Sequence, residues 1–288
     1  MKNLLFSLLL LLGVAASAVA QPTIGGTIRS ARTHEALPYV NIGVVGKALG
    51  TVSSELGAYQ LPFRPELAGD TVRVSSLGFA PRNLLLRELA AHPDVALEPA
   101  AVALAEVLVR PPSGLRRTHQ LGSRDTASNT TYTLSRHDLG GQMGTVIKLS
   151  RRPTRVLDVN FNIAHSTPGQ IVFRVNLYRL DRHGRPTETK LLAHDVVVTM
   201  PVVHGPVKVD LRDEHLVLSE NFLLAAEIID WKAAASPGAT FTFSAGVGYT
   251  NNEVYERKTS QAPWERISAG AYLAGMQPRL SFYATVND

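Results

Sequence analysis

The side chains able to do chemistry fall into four groups along the 288-residue chain. His204 and His215 lie close in sequence to Asp210, Asp213 and Glu214. A histidine beside carboxylates can move protons, yet the sequence marks no nucleophile next to them. Solvated strand ends carry the same residue types, so this group does not by itself assign catalysis. Asp158, Asn160 and Asn162 present oxygens at every second position. Calcium needs about six to eight oxygens around one point, whereas such positions on a strand spread over about 13 Å. A polar, solvent-facing strand face is the expected reading.

The third group is aromatic. Trp231, Tyr249, Asn252, Tyr255 and Trp264 set rings beside amides within a short stretch. The C–H face of a sugar stacks on such rings, and polar neighbours take its hydroxyls. Equally, Trp231 and Trp264 can plug the ends of a β-sandwich, as large aromatics usually do. The fourth group is basic: Arg116, Arg117, Arg151, Arg152 and Arg155. Several arginines together attract an anionic envelope polymer or lipid phosphate, but linker charges are also commonly just solvated.

Catalytic signatures are missing from the sequence. It holds no Gly-x-Ser-x-Gly elbow, phosphate loop, His-Glu-x-x-His or Gly-x-Gly-x-x-Gly. No catalytic residue, metal or cofactor is therefore expected. Zero cysteine excludes disulfides, thiolate metal sites and a Cys nucleophile. Apolar residues at 45% and charged residues at 18% fit a globular chain. The net charge of +5 is uneven: residues 110–155 hold nine basic and two acidic residues. The flanks are close to neutral, which argues against a nucleic-acid-binding domain.

Residues 1–20 have a basic Lys2, a Leu-rich run from Leu4 to Val14 and an Ala18-Val19-Ala20 end. These are the three parts of a secretory signal peptide, and the run is too short to span a bilayer comfortably. The expectation is a protein exported to the periplasm, outer membrane or medium, with no integral membrane segment after cleavage and no nucleic-acid partner.

Residues 21–109 read as short strands split by Gly and Pro. Val40, Ile42 and Val44 alternate on one face, Gly57 suits a hairpin turn, and Val72 and Val74 alternate again. Leu84–Ala91 is compatible with strand or with a turn or two of helix. Six spaced motifs occur here in order: Gly26-Thr27-Ile28, Leu37-Pro38-Tyr39-Val40-Asn41-Ile42, Gly50-Thr51-Val52, Gly57-Ala58-Tyr59, Ser75-Ser76-Leu77-Gly78-Phe79 and Leu104–Val109. This series resembles the carboxypeptidase-regulatory-like domain, a transthyretin-like seven-stranded sandwich. The resemblance implies a non-catalytic module of the kind that heads exported bacterial proteins and TonB-dependent receptors. Ser53, Ser54 and Glu55 stand where the family usually places an acidic turn residue.

Residues 110–130, opening with Arg110-Pro111-Pro112-Ser113-Gly114, read as a basic linker whose removal would leave both flanking folds intact. Residues 131–288 show about ten strand candidates, including Val156–Ala164, Ile171–Leu180 and Phe222–Ile229. That pattern predicts a larger jelly-roll-like antiparallel sandwich, similar to lectin modules by architecture alone. The chain is thus expected to be an all-β, exported, non-catalytic envelope protein that binds an envelope glycan or protein. A structural adaptor of an outer-membrane transport or secretion complex is the second expectation, and an envelope hydrolase the third. Oligomeric state is left open.

Overall fold

The computed structural model describes residues 22–100, 117–126, 130–135, 138–166, 171–200, 204–232, 240–248, 253–268 and 276–288. The expected signal peptide lies outside these residues. The fold is all-β, built as two sandwiches.

The first sandwich contains β1 (Thr23–Ser30), β2 (Asn41–Val44), β3 (Gly50–Val52), β4 (Ala58–Pro62), β5 (Thr71–Ser75), β6 (Arg82–Leu85), helix α1 (Leu86–Ala91) and β7 (Val95–Leu97). Its sheets run β4-β1-β7 and β3-β2-β5-β6. Period-two alternation decides which residues fill the space between them. Val40, Ile42 and Val44 meet Val72 and Val74 from one sheet and Ile28, Tyr59 and Leu61 from the other. Gly57 closes its turn at φ +74°, where a Cβ would also strike the Ile28 carbonyl at 2.7 Å. The undecided stretch resolves as β6 followed by one and a half turns of helix. Glu88 accepts the Leu85 N–H at 2.9 Å and so satisfies a free donor at the helix start.

The second sandwich contains β8 (Thr118–Gly122), β9 (Thr130–Ser135), β10 (Gln142–Ile147), β11 (Thr154–Ser166), β12 (Ile171–Leu180), β13 (Pro186–Lys190), β14 (Val196–Met200), β15 (Gly205–Asp210), β16 (Val217–Leu218), β17 (Phe222–Trp231), β18 (Thr240–Gly248), β19 (Val254–Arg257), β20 (Glu265–Arg266), β21 (Gln277–Leu280) and β22 (Phe282–Asn287). One sheet runs β13-β12-β17-β10-β19-β20, with β14 also on β12. The other runs β21-β18-β11-β22-β8, with β15 and β16 on β11 and β9 on β18. Between them Phe161 meets Phe282 edge-on at 4.6 Å and Phe173 at 5.3 Å.

Three expectations change. Strand β8 lies inside the span read as linker: its Thr118–Gly122 pair along β22, and Arg117 exchanges backbone bonds with Asp288. Deleting 110–130 would therefore strip a strand from the second sandwich. A register shift between Val156 and Asp158 turns Val156 into the core and leaves Leu157 half-buried, where simple alternation put Leu157 inside. The Asp158, Asn160 and Asn162 face is buried instead of solvated. Lys208 reaches Asp158 at 3.1 Å, and Asn162 donates to the Asp125 carbonyl at 3.0 Å. Among the described residues no helix is long and apolar enough to cross a membrane.

Candidate functional site

Strand β17 has an unbroken apolar run, Phe222-Leu-Leu-Ala-Ala, then Glu227, Ile228 and Ile229. A strand buried on one face alternates, whereas a continuous run means both faces are covered. Phe222, Leu224, Ala226 and Ile228 face the second sandwich's own core. Ile229 on the opposite face packs with Val172, Val52 and Tyr39. The last two belong to the first sandwich, so the two sandwiches dock face to face.

Cross-strand register shows how. In β2 and β3, Ile42 faces inward, so Asn41 with Val52 and Gly43 with Gly50 face outward. The glycine pair lets the 258–263 segment come close. A Cβ at Gly43 would stand 2.9 Å from Gln261 Cγ, and one at Gly50 would stand 2.9 Å from Thr259 Cβ. Gly46 N–H donates to the Gln261 carbonyl at 2.9 Å.

The docked faces bury the guanidinium groups and Glu227 of a polar network whose outer carboxylates, Glu188 and Asp195, reach solvent. Arg174, 2% exposed, lies 3.4 Å from Glu227 and 3.2 Å from Asp195. Its Nη2 donates to the Tyr39 carbonyl of the first sandwich. Asn176 donates to the same Glu227 oxygen at 2.7 Å. Tyr178 donates its hydroxyl hydrogen to Gln142 at 2.9 Å and accepts from Arg257 at 2.7 Å. Arg257 grips both oxygens of Glu188 at 2.9 and 3.0 Å. Its guanidinium lies over the Trp264 ring at 4.4 Å, and Trp264 meets Tyr178 edge-on at 5.5 Å.

The network fixes charge. Burial pushes the Glu227 carboxyl up, but Arg174, Lys190 and the Asn176 bond outweigh it and hold it below the ordinary range. Burial works against both guanidinium ions too, yet Glu227 with Asp195 raises Arg174, and Tyr178 with Glu188 raises Arg257. Burial carries the Tyr178 hydroxyl upward. Burial, then Arg174, brings Lys190 down, though a fifth of its side chain still meets solvent.

Beside this network a cleft of about 790 Å³ opens between the sandwiches. One wall is the outward face of β2, β5 and β6, with Asn41, Arg73, Ser75 and Asn83. The other is formed by Arg174, Tyr178, Glu188, Lys190 and Arg257, with the 260–263 segment across it. Besides Arg174 Nε, which lies 3.2 Å from Asp195, three buried polar atoms on its described lining residues lack a hydrogen-bond partner: Asn41 Oδ1, Ser260 Oγ and Arg257 Nε.

The expected aromatic surface is not assembled. Trp231 packs against the inner core at one end of β17, where it pairs with Ile171. Trp264 packs with Tyr178, Leu223 and Tyr255 on the outer face near the strand's other end. Leu223 and Trp231 are eight positions apart, about 26 Å along a strand. Tyr255 and Trp264 do come together; Tyr249 and Asn252 lie outside the described residues. Trp264 bears on Arg257 and Tyr178, which makes it a structural prop more than a free stacking platform.

The basic group is partly assembled. Arg155 and Thr118 flank Asn287 from opposite sides, which brings Arg117 and Arg155 to one end of the eight-stranded sheet. Arg151 and Arg152 are exposed just before β11, and Arg152 donates to Asn221 at 3.2 Å. Arg116 is outside the described residues. The His204 and His215 group disperses: His215 stands 3.5 Å from Arg155, Asp210 pairs with Arg212 at 2.9 Å, and Glu214 pairs with His194 at 2.7 Å.

Sequence reading missed the network. Its signal was present in Arg174, Asn176 and Glu227, lone polar residues inside apolar strands. A charge in such a place must be buried and paired.

No protein-family model matches the chain, and no curated protein matches it. Among solved structures it is similar to the cysteine protease and lectin-like domains of Cwp84, a surface layer associated protein of Clostridium difficile. That likeness has TM-score 0.41 and 12% identity over 83% of this chain and 45% of the other. It is also similar to a structure of infectious bursal disease virus Gx strain, with TM-score 0.29 and 12% identity over 90% of this chain and 59% of that one. The chain spans about half the length of the solved chains it matches.

Proposed function

We propose that this chain is an exported, non-catalytic protein of the cell envelope that binds a glycan in the cleft between its sandwiches. The observation that carries this reading is the set of unpartnered polar atoms on buried cleft residues, Asn41, Ser260 and Arg257. A buried donor or acceptor without a partner costs about 1–3 kcal/mol. Three around one opening suit a ligand rich in hydroxyls, which supplies donor and acceptor at each group. Phe79 adds an apolar face to the same cleft.

The network's electrostatics favour holding over proton transfer. General acids and bases work best near neutral pKa. Glu227, Arg174, Arg257 and Tyr178 all move away from neutrality, which fixes their charge states, and only Lys190 among the network's described residues moves the other way, held beside Asp195 at 3.7 Å. The first sandwich acts as a carboxypeptidase-regulatory-like module. The buried Val40, Ile42 and Tyr59 and the turn at Gly57 support that assignment, since its motifs supply those residues.

The test separates ligand recognition from folding. Ser260→Ala removes an unpartnered hydroxyl, so the melting temperature stays level or rises. Affinity for envelope saccharides, read by titration calorimetry on the mature chain, falls about threefold to tenfold. Unchanged affinity in this variant would move the site away from the cleft.

A further inference from the structure

The cleft carries one more cation than its carboxylates can balance. Its lining residues include Arg73, Arg174, Lys190 and Arg257. Arg174 is matched by Glu227 and Asp195, Lys190 shares Asp195 at 3.7 Å, and Arg257 is matched by Glu188. Arg73 is left over. It has no carboxylate within ion-pair distance among the described residues. Its position on the sheet explains why. Across β5 its partners are Gly43, which has no side chain, and Asn83, which is neutral. Val72 and Val74 on either side point into the core, so Arg73 faces the cleft, half-buried. An arginine cannot shed its proton, and its planar fork matches a carboxylate with two parallel bonds.

Resting on the glycan reading above, we infer that the cleft selects an acidic saccharide, whose carboxylate pairs with Arg73 while its hydroxyls meet Asn41, Ser75 and Ser260. The surplus of a single cation fits one carboxylate per bound sugar unit. A ligand with several clustered charges would need more free cations than the described residues offer here. Ser75 lies directly across from Asn41, so both point from the same sheet face as Arg73. Hydroxyl contacts therefore line one side of the carboxylate position.

The experiment titrates the mature chain with oligogalacturonate, with its methyl ester and with a panel of neutral oligosaccharides. Oligogalacturonate is expected to bind about tenfold or more tightly than the ester, the difference expected of one charge-assisted pair. Arg73→Gln is expected to erase that difference and leave ester binding unchanged. Arg155→Gln, at the far basic end, is expected to change neither. Equal binding of acid and ester by the wild type overturns the acidic preference and leaves the glycan reading standing. An acidic preference that survives Arg73→Gln but disappears in Arg155→Gln overturns the site. Failure of every saccharide to bind overturns both readings together. Circular dichroism of each variant confirms its fold, and Arg73→Lys serves as a second variant that keeps charge without the fork. It should retain part of the preference.

Discussion

Arg174 Nη1 lies 3.4 Å from Glu227 Oε2, and the same guanidinium donates through Nη2 to the Tyr39 carbonyl of the first sandwich. One buried side chain thus neutralises its own sheet and ties the other sandwich to it. Tyr39 makes the tie possible with a positive φ of 54°, a conformation rare for a bulky residue.

Removing one partner of this pair strands the other in the interior. Glu227→Met and Arg174→Met are each expected to cost about 3–5 kcal/mol in urea denaturation. The double variant Arg174→Met with Glu227→Met is expected to lose less than the sum of the two. Additive losses would show that the residues do not act as a pair.

Acid should weaken the pair in a defined window. Glu227 has its folded pKa depressed, so its contribution is present above the unfolded value of about 4.3 and lost as pH falls through the folded value. Stability should therefore drop below about pH 5 more steeply in the wild type than in the Arg174→Met, Glu227→Met variant. Matching acid limbs in the two proteins would refute this linkage.

Docking depends on the bare face at Gly50. A Cβ there would meet the Ile42 carbonyl and Thr259 Cβ, each at 2.9 Å, and the carbonyl cannot move aside cheaply. Gly50→Val is expected to destabilise by about 1–3 kcal/mol. It should also split a single thermal transition into two, as the sandwiches come apart. Calorimetry reads both effects.

Trp264→Ala should lower the melting temperature, as expected of a ring that plugs the sandwich and not of an exposed stacking platform. It removes the edge contact to Tyr178 and the face under Arg257, worth about 1–3 kcal/mol together. A variant as stable as wild type would restore the exposed-platform reading.

Much of this was legible in the chain. The alternation of Val40, Ile42 and Val44, the turn at Gly57 and the extended runs of β11 and β12, one in each sheet, all follow from local rules acting on adjacent residues. The site did not, because it is made by register. Asn41 and Arg73 matter through the face that Ile42, Val72 and Val74 leave them, and that face means nothing until another sheet arrives. For a related reason the shared tryptophan surface, one of the two readings left open, does not form. Closeness in sequence suggested one surface, but β17 carries Trp231 to the far end of the sheet from Trp264. Glu227 was the overlooked clue, since its charge within an apolar strand announces a buried partner.

The cleft has walls from different sandwiches: β5 and β6 on one side, β12, β13 and β19 on the other. Whatever bridges them adds its binding energy to the cohesion of the pair. A ligand at a hundred times its Kd would contribute about 2.7 kcal/mol to holding the halves shut. Tension that separates the halves must correspondingly release it. Grip and shape are then one quantity, and strain that parts the sandwiches is expected to lower occupancy of the cleft.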